Sequence, residues 1–162
     1  MENKTSFTQV GDKCMLIERV YEAPVDVVYQ KTIDPALVPH WWGPAAMTTE
    51  VEAMDVHPGG MWRFVQHDSE DTEYIFYGEY KEVVPNERLS YTFIYEDAPE
   101  QLMTETVTFL GLAGKTLISV ADCFDSADQL KEMMKQGMQA GATESMERFA
   151  ALVEPAVMTR KS

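Results

Sequence analysis

Two carboxylates in this sequence combine acid–base chemistry with an apolar setting. Glu105 alternates with Val107 and Phe109, and Asp122 with Ile118 and Val120, so each falls on the apolar face of a strand. A carboxylate there sits at the sheet rim, the commoner arrangement, or is buried with a raised pKa. In the second case it can orient a ligand or act as an acid or base. Tyr91 and Tyr95, on the apolar face of another strand, are the other polar groups that could project into such a site. Metal and covalent chemistry are poorly served. His40, His57 and His67 lie in separate elements without a ligand-spaced partner, and two cysteines make no zinc set. There is no glycine-rich phosphate loop, nucleophile elbow or H-E-x-x-H. No metal, cofactor or catalytic residue is therefore assigned.

The aromatic residues are the next candidates. Trp41, Trp42, Trp62, Phe64, Tyr91, Phe93 and Tyr95 converge, by strand alternation, on the inside of a sheet. They are simply core, or some of them line a pocket, because a sheet curved around one helix often leaves more volume than side chains fill. The helix methionines Met133, Met134, Met138 and Met146 suit an adaptable apolar surface and equally serve as gap-fillers. Gly137 and Gly141 each cost roughly 1 kcal/mol in a helix relative to alanine. Close approach of a neighbouring strand or of the Trp41-Trp42 segment is the expected compensation, with a bend of the helix as the alternative. Asp55 and Arg63 are expected to pair across the Pro58-Gly59-Gly60 turn. Cys14 and Cys123 read as buried free thiols, although antiparallel pairing of their strands would bring them close.

The elements that must position these residues follow from periodicity. Lys13 to Glu22 reads as a strand, Pro24 to Ile33 as a helix, and the segment through Leu37, Val38, Trp41 and Trp42 as a second short helix or turn. From Met47 the period changes to two. Strands are predicted over Thr48 to His57, Met61 to His67, Glu73 to Val84, Arg88 to Tyr95, Leu102 to Leu110 and Lys115 to Phe124. Leu89, Tyr91, Phe93 and Tyr95 give the cleanest alternation. From Ser126 to about Glu154 a single long helix is predicted, its stripe running from Leu130 to Val153 at spacings of three and four. That stripe needs a curved sheet to bury against. The expectation is an α+β chain of about seven antiparallel strands wrapped around the helix. Residues 1–12 are read as disordered or loosely docked at an edge, 13–155 as one domain, and 156–162 as a tail.

Composition narrows the function classes. A net charge of −14 over 162 residues repels phosphate backbones and anionic lipid, which argues against nucleic-acid and membrane-surface roles. The first residues are polar, without the apolar core of a signal peptide, and no apolar run approaches the ~20 residues of a membrane span. A cytoplasmic protein is expected.

Several segments in order resemble a known family: His40-Trp41-Trp42-Gly43-Pro44, Pro58-Gly59-Gly60-Met61-Trp62, the run from Gly78 to Leu89, and Gly137-Met138-Gln139-Ala140-Gly141. Together they are similar to the single-domain bacterial relatives of the activator of heat-shock protein 90 ATPase, in its C-terminal-domain-like branch of the START-like, or SRPBCC, superfamily. The match runs from about Lys13 to Glu154. It implies a helix-grip fold with a cavity between sheet and helix, which in many superfamily members takes a hydrophobic small molecule. The family's co-chaperones are larger and carry a separate N-terminal domain. Where the family usually has glycine followed by tryptophan, this chain has Gly141-Ala142, which should enlarge the space beside the helix.

Three functions follow in order of expectation. The first is a binding protein holding an apolar or amphipathic small molecule in a cavity lined by Trp41, Trp42, Trp62, Phe64, Tyr91, Phe93, Tyr95, Glu105, Met134, Met138 and Gly141. The second is a protein-interaction module related to the chaperone activators. The third is a cyclase- or hydratase-type enzyme using a cavity carboxylate or tyrosine.

Overall fold

The computed structural model describes residues 3–154. The chain runs β1 (Ser6–Val10), β2 (Cys14–Tyr21), α1 (Val25–Thr32), α2 (Val38–Trp41), β3 (Thr48–Met54), β4 (Met61–His67), β5 (Glu73–Val84), β6 (Arg88–Tyr95), β7 (Met103–Leu112), β8 (Lys115–Phe124), α3 (Ala127–Lys135) and α4 (Met138–Val153). The strands form one antiparallel sheet in the order β1-β2-β8-β7-β6-β5-β4-β3. Apart from the jump from β2 to β8, neighbours in the sheet are neighbours in sequence. This is the helix-grip architecture, with eight strands rather than about seven. The additional strand is β1, which docks on the outer edge of β2. The proposed tail at 156–162 lies outside the described residues.

The predicted single C-terminal helix is two helices. Gly137 stands at φ 91° between them, a left-handed conformation that glycine adopts without a Cβ penalty. The amide of Gln136 already leans on both Glu132 O and Met133 O, so the first helix is closing before the glycine is reached. Close approach does not account for Gly137 or Gly141, because a Cβ at either position would meet open space. The glycine that close approach does require is Gly78 in β5. A Cβ there would collide with the carbonyl of Thr92, the same carbonyl that accepts the Trp62 indole N–H at 3.1 Å.

Most of the core lies between the sheet and α4. Tyr21, Val28, Tyr29, Leu89, Phe109, Ile118, Phe149 and Val153 form its main cluster. Polar contacts fix α4 from several sides. Arg19, buried on β2, pairs with Glu147 at 3.3 Å and Glu154 at 3.4 Å. Lys31 Nζ donates to Leu152 O at 2.7 Å, and Arg148 Nη1 donates to Gly43 O at 2.7 Å.

Two expectations are corrected by register. Arg63 binds Glu52 at 2.7 Å and Glu96 at 3.1 Å, not Asp55. A bulge between Val51 and Ala53 sets Ala53 opposite Arg63, and Asp55 turns to His57 instead. Cys14 and Cys123 are directly opposed in the β2–β8 ladder, with Cα atoms 4.1 Å apart, and form a disulfide rather than free thiols.

Candidate functional site

The register that opposes the two cysteines also assembles a polar row on the inner face of the sheet. Tyr91 on β6 faces Glu105 on β7, and Glu105 faces Asp122 on β8. The Tyr91 hydroxyl donates to Glu105 Oε1 at 2.5 Å. Burial raises the Tyr91 pKa well above its ordinary value, and the Glu105 charge and hydrogen bond raise it further, so the phenol stays protonated. Asp122 is 5% exposed. Burial pushes its carboxyl well above the usual carboxylate range, and the charge of Glu105 and a hydrogen bond to it push the same way. The Asp122 carboxyl therefore stays protonated beside Glu105. Asp122 Oδ1 has no hydrogen-bond partner in the protein.

This row forms one wall of a cavity of about 220 Å³ between the sheet and α4. Ile17, Val107, Ile118 and Val120 continue the sheet wall, and Ala142, Ser145, Met146 and Phe149 supply the helix wall. Trp41 and Trp42 close it from the end of α2. That segment is held by Ser145 Oγ, which donates to Trp41 O at 2.9 Å, and by edge-to-face packing of Trp41 on Phe149 at 5.1 Å. Trp41 Nε1 is a second buried polar atom without a protein partner.

The predicted aromatic set divides. Trp41, Trp42, Tyr91, Phe93 and Glu105 line the cavity. Trp62 and Phe64 lie behind Trp42, around an adjoining void of about 40 Å³. They buttress the indole, Phe64 at 5.0 Å and Trp62 at 6.4 Å between ring centres. Tyr95 stands apart, stacked on Phe76 at 5.2 Å in a groove of about 400 Å³ on the far side of Phe93, with Met103 and Phe124. Met134 is exposed, and Met138 packs toward Leu130 and Phe124. Gly141 does not line the cavity, whereas its neighbour Ala142 does. Asp122, Met146 and Phe149 are additional lining residues. Asp122 was signalled by its apolar strand face, and the other two by the helix stripe.

The sequence from 22 to 154 matches the family model described as Activator of Hsp90 ATPase homolog 1-like protein. The chain belongs to this family. Among solved structures, a Chromobacterium violaceum protein is 28% identical with a TM-score of 0.76, over 88% of this chain and 99% of that one. An Arthrobacter aurescens protein is 23% identical with a TM-score of 0.86, over 93% of this chain and 92% of that one. The AHSA1 protein of Silicibacter pomeroyi is 17% identical with a TM-score of 0.71, over 92% and 99%. The last two show the fold alone. No protein of curated function matches the chain. Within this activator-homologue family, a START-like domain is what the helix-grip sheet and its enclosed space amount to. Ala142 occupies the position where the resemblance implies tryptophan, and its small side chain borders the space. Among the described residues no helix is long and apolar enough to cross a membrane, and no cluster of His, Cys, Asp and Glu could hold a metal ion.

Proposed function

We propose that this chain is a small-molecule-binding START-like protein that holds an apolar or amphipathic ligand in the cavity between the sheet and α4. The observation that carries the reading is the lining. A space of about 220 Å³ is walled by tryptophan, phenylalanine and aliphatic side chains, yet contains one localised polar row. Ligand sites are typically of this kind, apolar with a few placed polar groups. At about 220 Å³ the cavity lies below the usual ~300–1,000 Å³ range, so the ligand is small, on the order of one substituted ring. Native mass spectrometry of the protein purified from its own cells, followed by denaturing extraction, tests this. A discrete co-purifying mass is expected. A clean apo mass, with no thermal shift across apolar metabolites, would instead point to a packed core and a partner-binding role.

A cyclase- or hydratase-type activity is the second reading, favoured by the buried acid pair itself, since Glu105 and Asp122 together could exchange a proton with a substrate held against them. The cytoplasm is the proposed compartment. The Cys14–Cys123 bond provides its test, because structural disulfides are uncommon in reducing compartments. Acid-trapping thiols in intact cells should find this pair reduced if the protein resides there.

A further inference from the structure

The cavity's polar row bears on the ligand's head group. Among the described residues, its lining includes no lysine, arginine or histidine, and its only carboxyl side chains are Glu105 and Asp122. Glu105 Oε1 already accepts from Tyr91, and both carboxyls border the space. Polar groups in so apolar a lining are costly to leave without a partner once a ligand has displaced water. Trp41 and Trp42 line the same small space, and indole rings suit a cation as well as an apolar ring. The net charge of −14 concentrates cations around the molecule and repels anions.

We infer that the cavity selects a small aromatic or aliphatic amine, its ammonium group donating to the Glu105 and Asp122 carboxyls while its apolar body packs against Trp41, Trp42 and Phe149. Carboxylate-headed ligands such as fatty acids are excluded by like charge in a site of low dielectric. The inference rests on the binding reading above, and it concerns the head group alone.

Three probes of nearly one shape test it on the full chain: 2-phenylethylamine, 2-phenylethanol and phenylacetate, titrated by calorimetry and by tryptophan fluorescence. The amine is expected to bind at least about tenfold tighter than the alcohol, the scale of a charge-assisted hydrogen bond, with phenylacetate weakest. In the double variant E105Q/D122N, amine and alcohol should fall within about threefold of each other, because the charge is gone and the apolar walls remain. Added salt should leave the amine preference in place, since buried pairs are little screened. If the alcohol binds and the amine shows no preference, the inference is overturned and the binding reading stands. If none of the three binds the wild-type protein, the inference is overturned, and the co-purification experiment decides the binding reading separately. An amine preference that survives E105Q/D122N, or vanishes in salt, would assign it to the acidic surface and equally overturn the inference. The wild-type ranking decides the matter even if the double variant does not fold.

Discussion

Asp122→Asn probes the proton in the cavity wall directly. In the folded protein, burial and Glu105 keep the Asp122 carboxyl neutral well above the usual carboxylate range. In the unfolded chain it ionises near its ordinary value of about 3.9. Unfolding above that value therefore releases a proton, and rising pH favours unfolding. The stabilisation is fully present below about pH 3.9 and is lost progressively as pH climbs toward the raised folded-state value. Each pH unit in that window changes the unfolding free energy by about 1.4 kcal/mol. The asparagine side chain of the variant is nearly the same shape, keeps an N–H donor for Glu105, and carries no such proton. The variant should thus gain on the wild type as pH rises above about 4, other carboxylates contributing equally to both. With a urea slope of about 1–3 kcal/mol/M, the difference in unfolding midpoints should change by roughly 0.5–1.4 M for each pH unit in the window. Midpoints that run parallel across the window would mean that Asp122 is ionised in the folded state, and the account of a protonated Asp122 would be wrong.

Three further outcomes are expected. Gly141→Ala should stabilise the protein by about 1 kcal/mol, since the site is open and helical, whereas Gly137→Ala should cost roughly 1–2 kcal/mol because φ is 91° there; paired thermal melts check both signs. Ala142→Trp should fill the cavity and abolish binding of any of the three phenyl probes while leaving the circular dichroism spectrum unchanged; retained binding would place the ligand elsewhere. The double variant C14S/C123S should lose about 2–4 kcal/mol, because the bond closes a chain segment with a sequence separation of 109, and denaturant midpoints in the presence and absence of reductant should reproduce the loss for the wild type alone.

What could be read from the sequence follows the range of each interaction. The β6 strand was legible because Leu89, Tyr91, Phe93 and Tyr95 alternate within one segment, and the α3–α4 stripe because its spacing repeats over a few turns. A periodicity averages over turns, however, so it passed through Gly137 without registering one left-handed residue. β1 was invisible for a different reason. Its side chains are mostly exposed, and pairing with β2 rather than any pattern of its own makes it a strand. Register lies beyond either signal, because it is set by turns, bulges and distant partners together. The bulge after Val51 redirected Arg63, and the β2–β8 register brought Cys14 onto Cys123. The same dependence governs the site. Tyr91, Glu105 and Asp122 come from three strands and form no linear motif, and each alone is an ordinary residue on an apolar face. A one-residue slip of β8 would turn Asp122 outward and aim Cys123 into the cavity, exchanging the acid pair and the disulfide in a single step. The cysteine pair on the outer face and the acid pair on the inner face therefore report the same register, which the β2–β8 and β7–β8 ladders set together.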